Sequence, residues 1–202
     1  MQLKSASPTK HSMQVPSFGF VGLMASGKNS YADELKLQIE SELGIRVFRG
    51  SYSTKMIEVA KDLFGVDEKD RVLLGKIAGS MASIDPHVWT NYLIRQIELY
   101  GKQFIIDGIR FQVEEHRFRV RFEDFLVVRV EADEAKRIEA YRREYGRYPT
   151  KSDLHGRGEK ELLHVKHDLL IFNEYNEQDR AAKVSAIVES IRDGSINGLL
   201  RR

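Results

Sequence analysis

The 202-residue chain contains no cysteine. That removes disulfide scaffolds and thiolate metal sites, and it fits a reducing compartment, so a cytoplasmic protein is the expectation. A strong net charge is missing as well: 32 basic and 30 acidic residues leave +2. No overall field therefore draws the chain to nucleic acid or lipid, and a bound anion must be met by locally placed donors. No apolar run approaches the roughly 20 residues that a membrane-spanning helix needs. Residues 1–16 carry Lys4, Lys10 and His11 but no continuous apolar stretch, so they read as a disordered tail and not as a secretory signal. The six histidines form no metal-ligand pattern; Glu161, His164 and His167 recur every three residues, but nothing nearby completes a site. Internal repeats and linkers long enough to separate two domains are also missing. Basic residues are interleaved with acids, and the ending Leu199 to Arg202 is too short for a basic arm, so nucleic acid is not an expected partner.

What remains is an ordinary globular balance, 42% hydrophobic and 31% charged. Short apolar runs alternate with helical patterns. Strands are expected at Phe18–Val21, Ile45–Phe48, Phe104–Ile106, Phe125–Val130 and Asp168–Phe172. Helices are expected at 30–43, 55–64, 69–81, 87–100, 113–120, 133–145 and 159–165, with a last amphipathic helix around Val184, Ile187, Val188 and Ile191. Residues 146–158 read as a charged loop. Strands that are apolar throughout, each followed by a helix, indicate an α/β fold with a parallel sheet covered on both faces. The expected layout is one domain over 17–195, with a lid near 133–167 and a short tail at 196–202.

One motif carries chemistry. Gly22-Leu23-Met24-Ala25-Ser26-Gly27-Lys28-Asn29-Ser30 lies between an apolar strand and an amphipathic helix. Glycines at its first and sixth positions let the backbone wrap a phosphate. Gly22, Ala25, Ser26 and Gly27 would supply N–H groups, and Lys28 a positive charge for the outer phosphates. The residue after the lysine is usually Ser or Thr, whose hydroxyl holds magnesium. Asn29 stands there instead, offering an amide oxygen, with Ser30 next to bond a phosphate. Asp107, at the end of the third strand, lies where ligands of open α/β sheets bind and could hold magnesium or orient an acceptor. Arg110 can fork onto a phosphate, and Glu114 is placed one turn on to hold Arg110 by a salt bridge.

Gly27-Lys28-Asn29-Ser30 resembles the phosphate loop of deoxynucleoside monophosphate kinases, which place an acidic or amide residue after the lysine. Ser51 to Lys55 with Ala60 and Phe64-Gly65, Arg71 to Gly79 with Asp85 to Trp89, and Ile106 to Phe111 with Glu114 are similar to further segments of that family. Asp-Gly-Ile-Arg at 107–110, with Arg137, Arg142 and Arg157-x-x-x-Glu161, also looks like archaeal proteins related to adenylate and dephospho-coenzyme A kinases. These resemblances imply the nucleoside-monophosphate-kinase fold: a P-loop NTPase with a five-stranded parallel sheet flanked by helices and a small lid. They imply ATP and Mg2+ as cofactors, a small-molecule nucleotide as acceptor, and transfer of the terminal phosphate to it. Lys28 and Asp107 would then be catalytic, joined by lid arginines drawn from Arg137, Arg142, Arg143 and Arg157. Lys55, Arg71 and Arg110 would hold the acceptor phosphate, Trp89 would stack on its base, and Asn29 and Asp107 would meet the metal. A dephospho-coenzyme A kinase, a regulatory ATP-binding module without catalysis, and a homodimer stay open.

Overall fold

The computed structural model describes residues 14–66, 70–101 and 103–200. The tail expected at 1–16 therefore lies outside the described residues up to 13, as do Arg201 and Arg202 and the expected helix start at residue 69. Strands β1 (Ser17–Val21), β2 (Phe48–Ser51), β3 (Phe104–Asp107), β4 (Phe125–Glu131) and β5 (Leu169–Phe172) form one parallel sheet in the order β2-β3-β1-β4-β5. Helices α1 (Lys28–Leu43) and α9 (Glu177–Arg192) cover one face. On the other lie α2 (Tyr52–Phe64), α3 (Arg71–Ile84), α4 (Val88–Tyr100) and α5 (Gln112–Arg121). Between β4 and β5 come α6 (Glu134–Tyr145), α7 (Lys151–His155) and α8 (Arg157–Leu162).

Two apolar clusters, one per face, explain why the strand sequences do not alternate. Along β4, Leu126, Val128 and Val130 join the α1–α9 cluster, while Phe125 and Val127 join the opposite one. Both directions of the pleat are buried, so both are apolar apart from Arg129, whose guanidinium is met by carbonyls. After Gly194, Ile196 is buried in the α1–α9 cluster, and the short α10 (Asn197–Leu200) packs Leu199 and Leu200 against it.

Three elements differ from the pattern expected. The second strand runs Phe48–Ser51, three residues later than its apolar run, because Ile45 and Val47 are spent on the α1–α9 cluster. Its polar residues Arg49 and Ser51 are tolerated on an edge strand that ends beside a site. Helix α2 begins at Tyr52, not residue 55, with Ser51 Oγ accepting the Ser53 N–H. The stretch read as a loop at 146–158 contains α7 and the start of α8. A reciprocal cap starts α7: Asp153 Oδ2 accepts the Thr150 N–H, and Thr150 Oγ1 accepts the Asp153 N–H.

Candidate functional site

The C-terminal ends of β1, β3, β4 and β5 meet at one edge of the sheet. Leaving β1 at Val21, the chain turns through Gly22–Gly27 and enters α1 at Lys28. Both motif glycines are sterically required. A Cβ at Gly22 would lie 2.4 Å from Ser26 Oγ and 2.5 Å from the Val130 carbonyl oxygen. Gly27 has φ of +87°, and a Cβ there would lie 2.2 Å from Asn173 Nδ2. Gly27 caps α1 with no side-chain hydrogen bond, so the first turn of the helix opens straight into the concavity of the loop.

The carbonyls of this loop are tied down one by one. Leu23 O accepts the Ser26 N–H at 3.1 Å and Lys28 Nζ at 3.5 Å. Met24 O accepts Arg137 Nη1 at 3.2 Å, Ala25 O accepts the Tyr175 hydroxyl at 2.6 Å, and Ser26 O accepts Asn173 Nδ2 at 2.9 Å. In a trans peptide the N–H points away from its carbonyl. Holding the Met24 and Ser26 carbonyls from outside thus turns the Ala25 and Gly27 N–H groups the other way, toward the space a phosphate would fill, while the Ser26 N–H closes the turn on Leu23 O. Ala25 (φ 57°) and Tyr175 (φ 58°) are the two non-glycine residues with positive φ among the described residues, and they are bonded to each other. Such conformations cost on the order of 1 kcal/mol each and persist where surrounding structure holds them.

Asn173 and Tyr175 were not among the expected site residues. Asn173, 6% exposed, follows β5 directly; its N–H donates to Glu131 O, and its Oδ1 accepts the Tyr175 N–H at 2.8 Å. The available signal was a polar residue immediately after an apolar strand, at the same sheet edge as the loop and Asp107. Arg137 is buried and braces the loop through Met24, while its Nε has no partner among the described residues. A cavity of about 580 Å³ opens beside the loop toward β4 and β5, lined by Leu23, Ser26, Arg137, Phe172 and Glu174.

Across the loop, β3 brings Asp107 level with Phe20 of β1. Its carboxylate is buried and already engaged: Oδ1 accepts Ser51 Oγ at 2.8 Å and Oδ2 accepts Arg49 Nη2 at 2.5 Å. Arg49 also reaches Asp33 on α1. Arg110 sits two residues past Gly108, which has φ of +88°. The expected salt bridge from Glu114 to the Arg110 guanidinium is not what forms. Glu114 Oε2 accepts the backbone N–H groups of Arg110 (2.8 Å) and Phe111 (3.2 Å). Loss of hydration pushes the Glu114 carboxyl up to about 7, against the lowering effect of those two bonds and the Arg110 charge. The guanidinium turns instead to Glu159 of α8, with Nη1 donating to Oε1 at 2.5 Å.

The other expected residues are dispersed. Asn29 and Ser30 are exposed in the first turn of α1. Lys55 pairs with Glu58 on its own helix. Arg71 binds Asp153 of α7 at 3.2 Å and lies 5.8 Å and 5.9 Å from the ring centres of Tyr141 and Tyr145. Arg142 pairs with Glu139 and lies over Tyr148, and Arg157 lies over Phe111. Trp89 packs in the core among α2, α3 and α4, its indole N–H donating to Ala78 O at 3.2 Å. A ring so placed is core structure and does not stand free to stack on a base. Lys55 and Arg142 are each paired with a glutamate of their own helix.

For a phosphate group the fit is good: a tight turn that only glycine allows, leading into an uncapped helix start, with Lys28 at its head. For magnesium the chain supplies few oxygens. Among the described residues no three carboxylates or histidines gather into a metal cage. The Asp107 carboxylate and the Asn29 amide suit an ion that keeps most of its water and arrives with phosphate.

No protein-family model matches the chain, and no curated protein matches it by sequence. Solved structures do match in shape. A gluconokinase from Sinorhizobium meliloti is similar over 89% of this chain and 97% of its own, with TM-score 0.52 and 12% identity. A shikimate kinase from Acinetobacter baumannii, solved with shikimate, matches over 93% and 98%, with TM-score 0.53 and 14% identity. Kti12 from Chaetomium thermophilum, solved with ADP-AlF3, matches over 87% and 99%, with TM-score 0.52 and 14% identity. The fold is that of the P-loop kinases.

Proposed function

We propose that the chain is an ATP-dependent phosphotransferase whose acceptor is a nucleoside monophosphate. The observation that supports this most is the braced loop: the carbonyls of Met24, Ala25 and Ser26 held by side chains from outside it, an uncapped α1, and Arg110 joined to the loop through Glu159. Phosphoryl transfer asks little covalent chemistry of a protein. It asks for positioned donors and positive charge at the transferring group. The loop N–H groups and Lys28 would hold the donor phosphates, and Arg110 the acceptor phosphate. Magnesium bound with the nucleotide would neutralise the phosphate oxygens, with Asp107 and Asn29 as the chain's own oxygens nearest to that task. The assignment of the acceptor to the nucleoside monophosphates rests on the resemblance of the loop and of the Asp107–Glu114 segment.

A second reading, a nucleotide-binding module without transfer, draws on Arg49: its guanidinium already neutralises the carboxylate that the reaction would use. One experiment separates the two. ADP release is measured with ATP and magnesium against the eight common ribo- and deoxyribonucleoside monophosphates and dephospho-coenzyme A. The expected result is turnover with one acceptor class, lowered about 100-fold or more in Lys28→Ala with its melting temperature unchanged. ATP binding without acceptor-dependent ADP release would replace the kinase reading by the binding module. Turnover with dephospho-coenzyme A alone would correct the acceptor.

A further inference from the structure

Glu159 belongs to no motif legible in the sequence, yet it joins the loop to Arg110. It is 5% exposed, and its carboxylate bridges two groups from opposite sides. Oε2 accepts the Met24 N–H, inside the phosphate loop, at 2.8 Å. Oε1 accepts Arg110 Nη1 at 2.5 Å. These are the two kinds of group that the proposed reaction needs for phosphate: an N–H of the donor cradle and the acceptor guanidinium. The space between them is where a phosphoryl group passing from donor to acceptor must lie.

The side chains that brace the loop from behind are donors, and all of them hold carbonyls: Arg137, Tyr175 and Asn173. Glu159 is an anion on an N–H, in a loop whose geometry gathers N–H groups for an anion. It therefore competes with phosphate and does not brace against it. We propose that Glu159 is a resident anion that takes the place of the transferring phosphoryl group in the free protein and must leave when that group binds. This rests on the kinase reading of the loop.

Two features make the exchange local and coupled. The far end of α8 is anchored independently, because Arg129 Nη2 donates to the carbonyls of Leu162 and Val165 at 3.2 Å and 2.6 Å. A turn of the Glu159 side chain thus suffices, without undocking the helix. Near its start, α8 sits so close to Arg110 that a Cβ on Gly158 would be 3.0 Å from Arg110 Cδ. A phosphate that draws Arg110 away strips the buried carboxylate of its counter-ion, which favours its departure. Glu159 would then set how strongly the site prefers a nucleotide with a terminal phosphate over one without.

The test is a titration of the full chain with ATP and with ADP, each with magnesium, for the wild type, Glu159→Gln, Glu159→Asp and Lys28→Ala. Removing the charge is expected to tighten ATP by about three- to tenfold, the fraction of molecules freed from the closed arrangement, and ADP by less. The ATP-to-ADP preference therefore rises; a merely structural residue would move both affinities together. Equal or weaker ATP binding in a folded Glu159→Gln overturns the proposal. If that variant does not fold, Glu159→Asp decides: its carboxylate, one methylene shorter, must raise the same ratio or the proposal is lost. Wild-type binding that Lys28→Ala abolishes, with an unmoved ratio in the Glu159 variants, removes the resident anion and keeps the nucleotide site. Failure of the wild type to bind either nucleotide removes both.

Discussion

At the scale of single residues, the site depends on side chains that touch the loop from outside. Asn173 is the best placed of these. Its Nδ2 lies on the Ser26 carbonyl, its Oδ1 holds the Tyr175 N–H, and Tyr175 in turn holds the Ala25 carbonyl. One amide thus supports two consecutive peptides of the cradle, one of them in a left-handed conformation. Asn173→Ala is expected to weaken ATP binding by about tenfold, the worth of a buried hydrogen bond and the order it imposes. An ATP titration checks this, and wild-type affinity in the variant would show that the loop holds its shape unaided. Gly27 bears the opposite constraint, since any side chain there meets both Asn173 and an unfavourable φ.

At the scale of elements, two buried carboxylates help tie the segment from α6 to α8 to the body of the protein. Glu159 and Arg110 form one, and Asp153 forms the other. Asp153 receives Arg71 of α3 at 3.2 Å and Arg147 at 3.0 Å, while Tyr141 and Tyr145 lie against Arg71. Burial pushes the Asp153 carboxyl up, but the Thr150 N–H and hydroxyl and the Arg147 charge outweigh it and hold it at about 2. A carboxyl lowered on folding stabilises the protein above its unfolded value, and this is lost as pH falls toward 2. Asp153→Asn should therefore cost on the order of 1–2 kcal/mol at pH 7, and the gap to wild type should narrow below about pH 4 and close only near pH 2. Melting curves at pH 7 and pH 3 would show it. A gap that does not change with pH would contradict the lowered Asp153 carboxyl.

At the scale of the whole molecule, Glu114 works in the other direction. Its carboxyl is raised to about 7 from an ordinary 4.5, so the folded protein binds a proton that the unfolded chain releases between these values. Stability should fall as pH rises from about 4.5 to 7, by on the order of 2 kcal/mol from this group alone. Glu114→Gln keeps an acceptor for the Arg110 and Phe111 N–H groups and removes the charge. It is expected to be more stable relative to wild type at pH 8 than at pH 5. The comparison is made by denaturant unfolding at both values, and a constant difference would contradict the raised carboxyl.

Much of the architecture could be read without coordinates because it rests on local signals. Five apolar strands, the helices between them and the Gly22–Lys28 loop each follow from short stretches of chain, where period, glycine placement and caps act within one or two turns. Where a strand had to be shifted, as at Phe48–Ser51, the apolar residues had been drawn into packing from elsewhere. The Thr150–Asp153 cap was legible in principle, since its partners are three residues apart. The partners that decide the site were not. Glu159 and Met24 are 135 residues apart, Asn173 and Ser26 are 147 apart, and Arg49 and Asp107 are 58 apart. A charged or polar residue in a sequence shows what it can bond but not what it meets. Arg71 and Arg142 look alike as lid or acceptor arginines until folding hands one to Asp153 and leaves the other on Glu139. The chain by itself determined that a Gly22–Lys28 loop stands between a strand of a parallel sheet and a helix, because that follows from spacing. Only the tertiary structure decided which side chains shape the loop and which carboxylate meets its Met24 N–H, because those contacts exist only once the sheet has brought distant segments together.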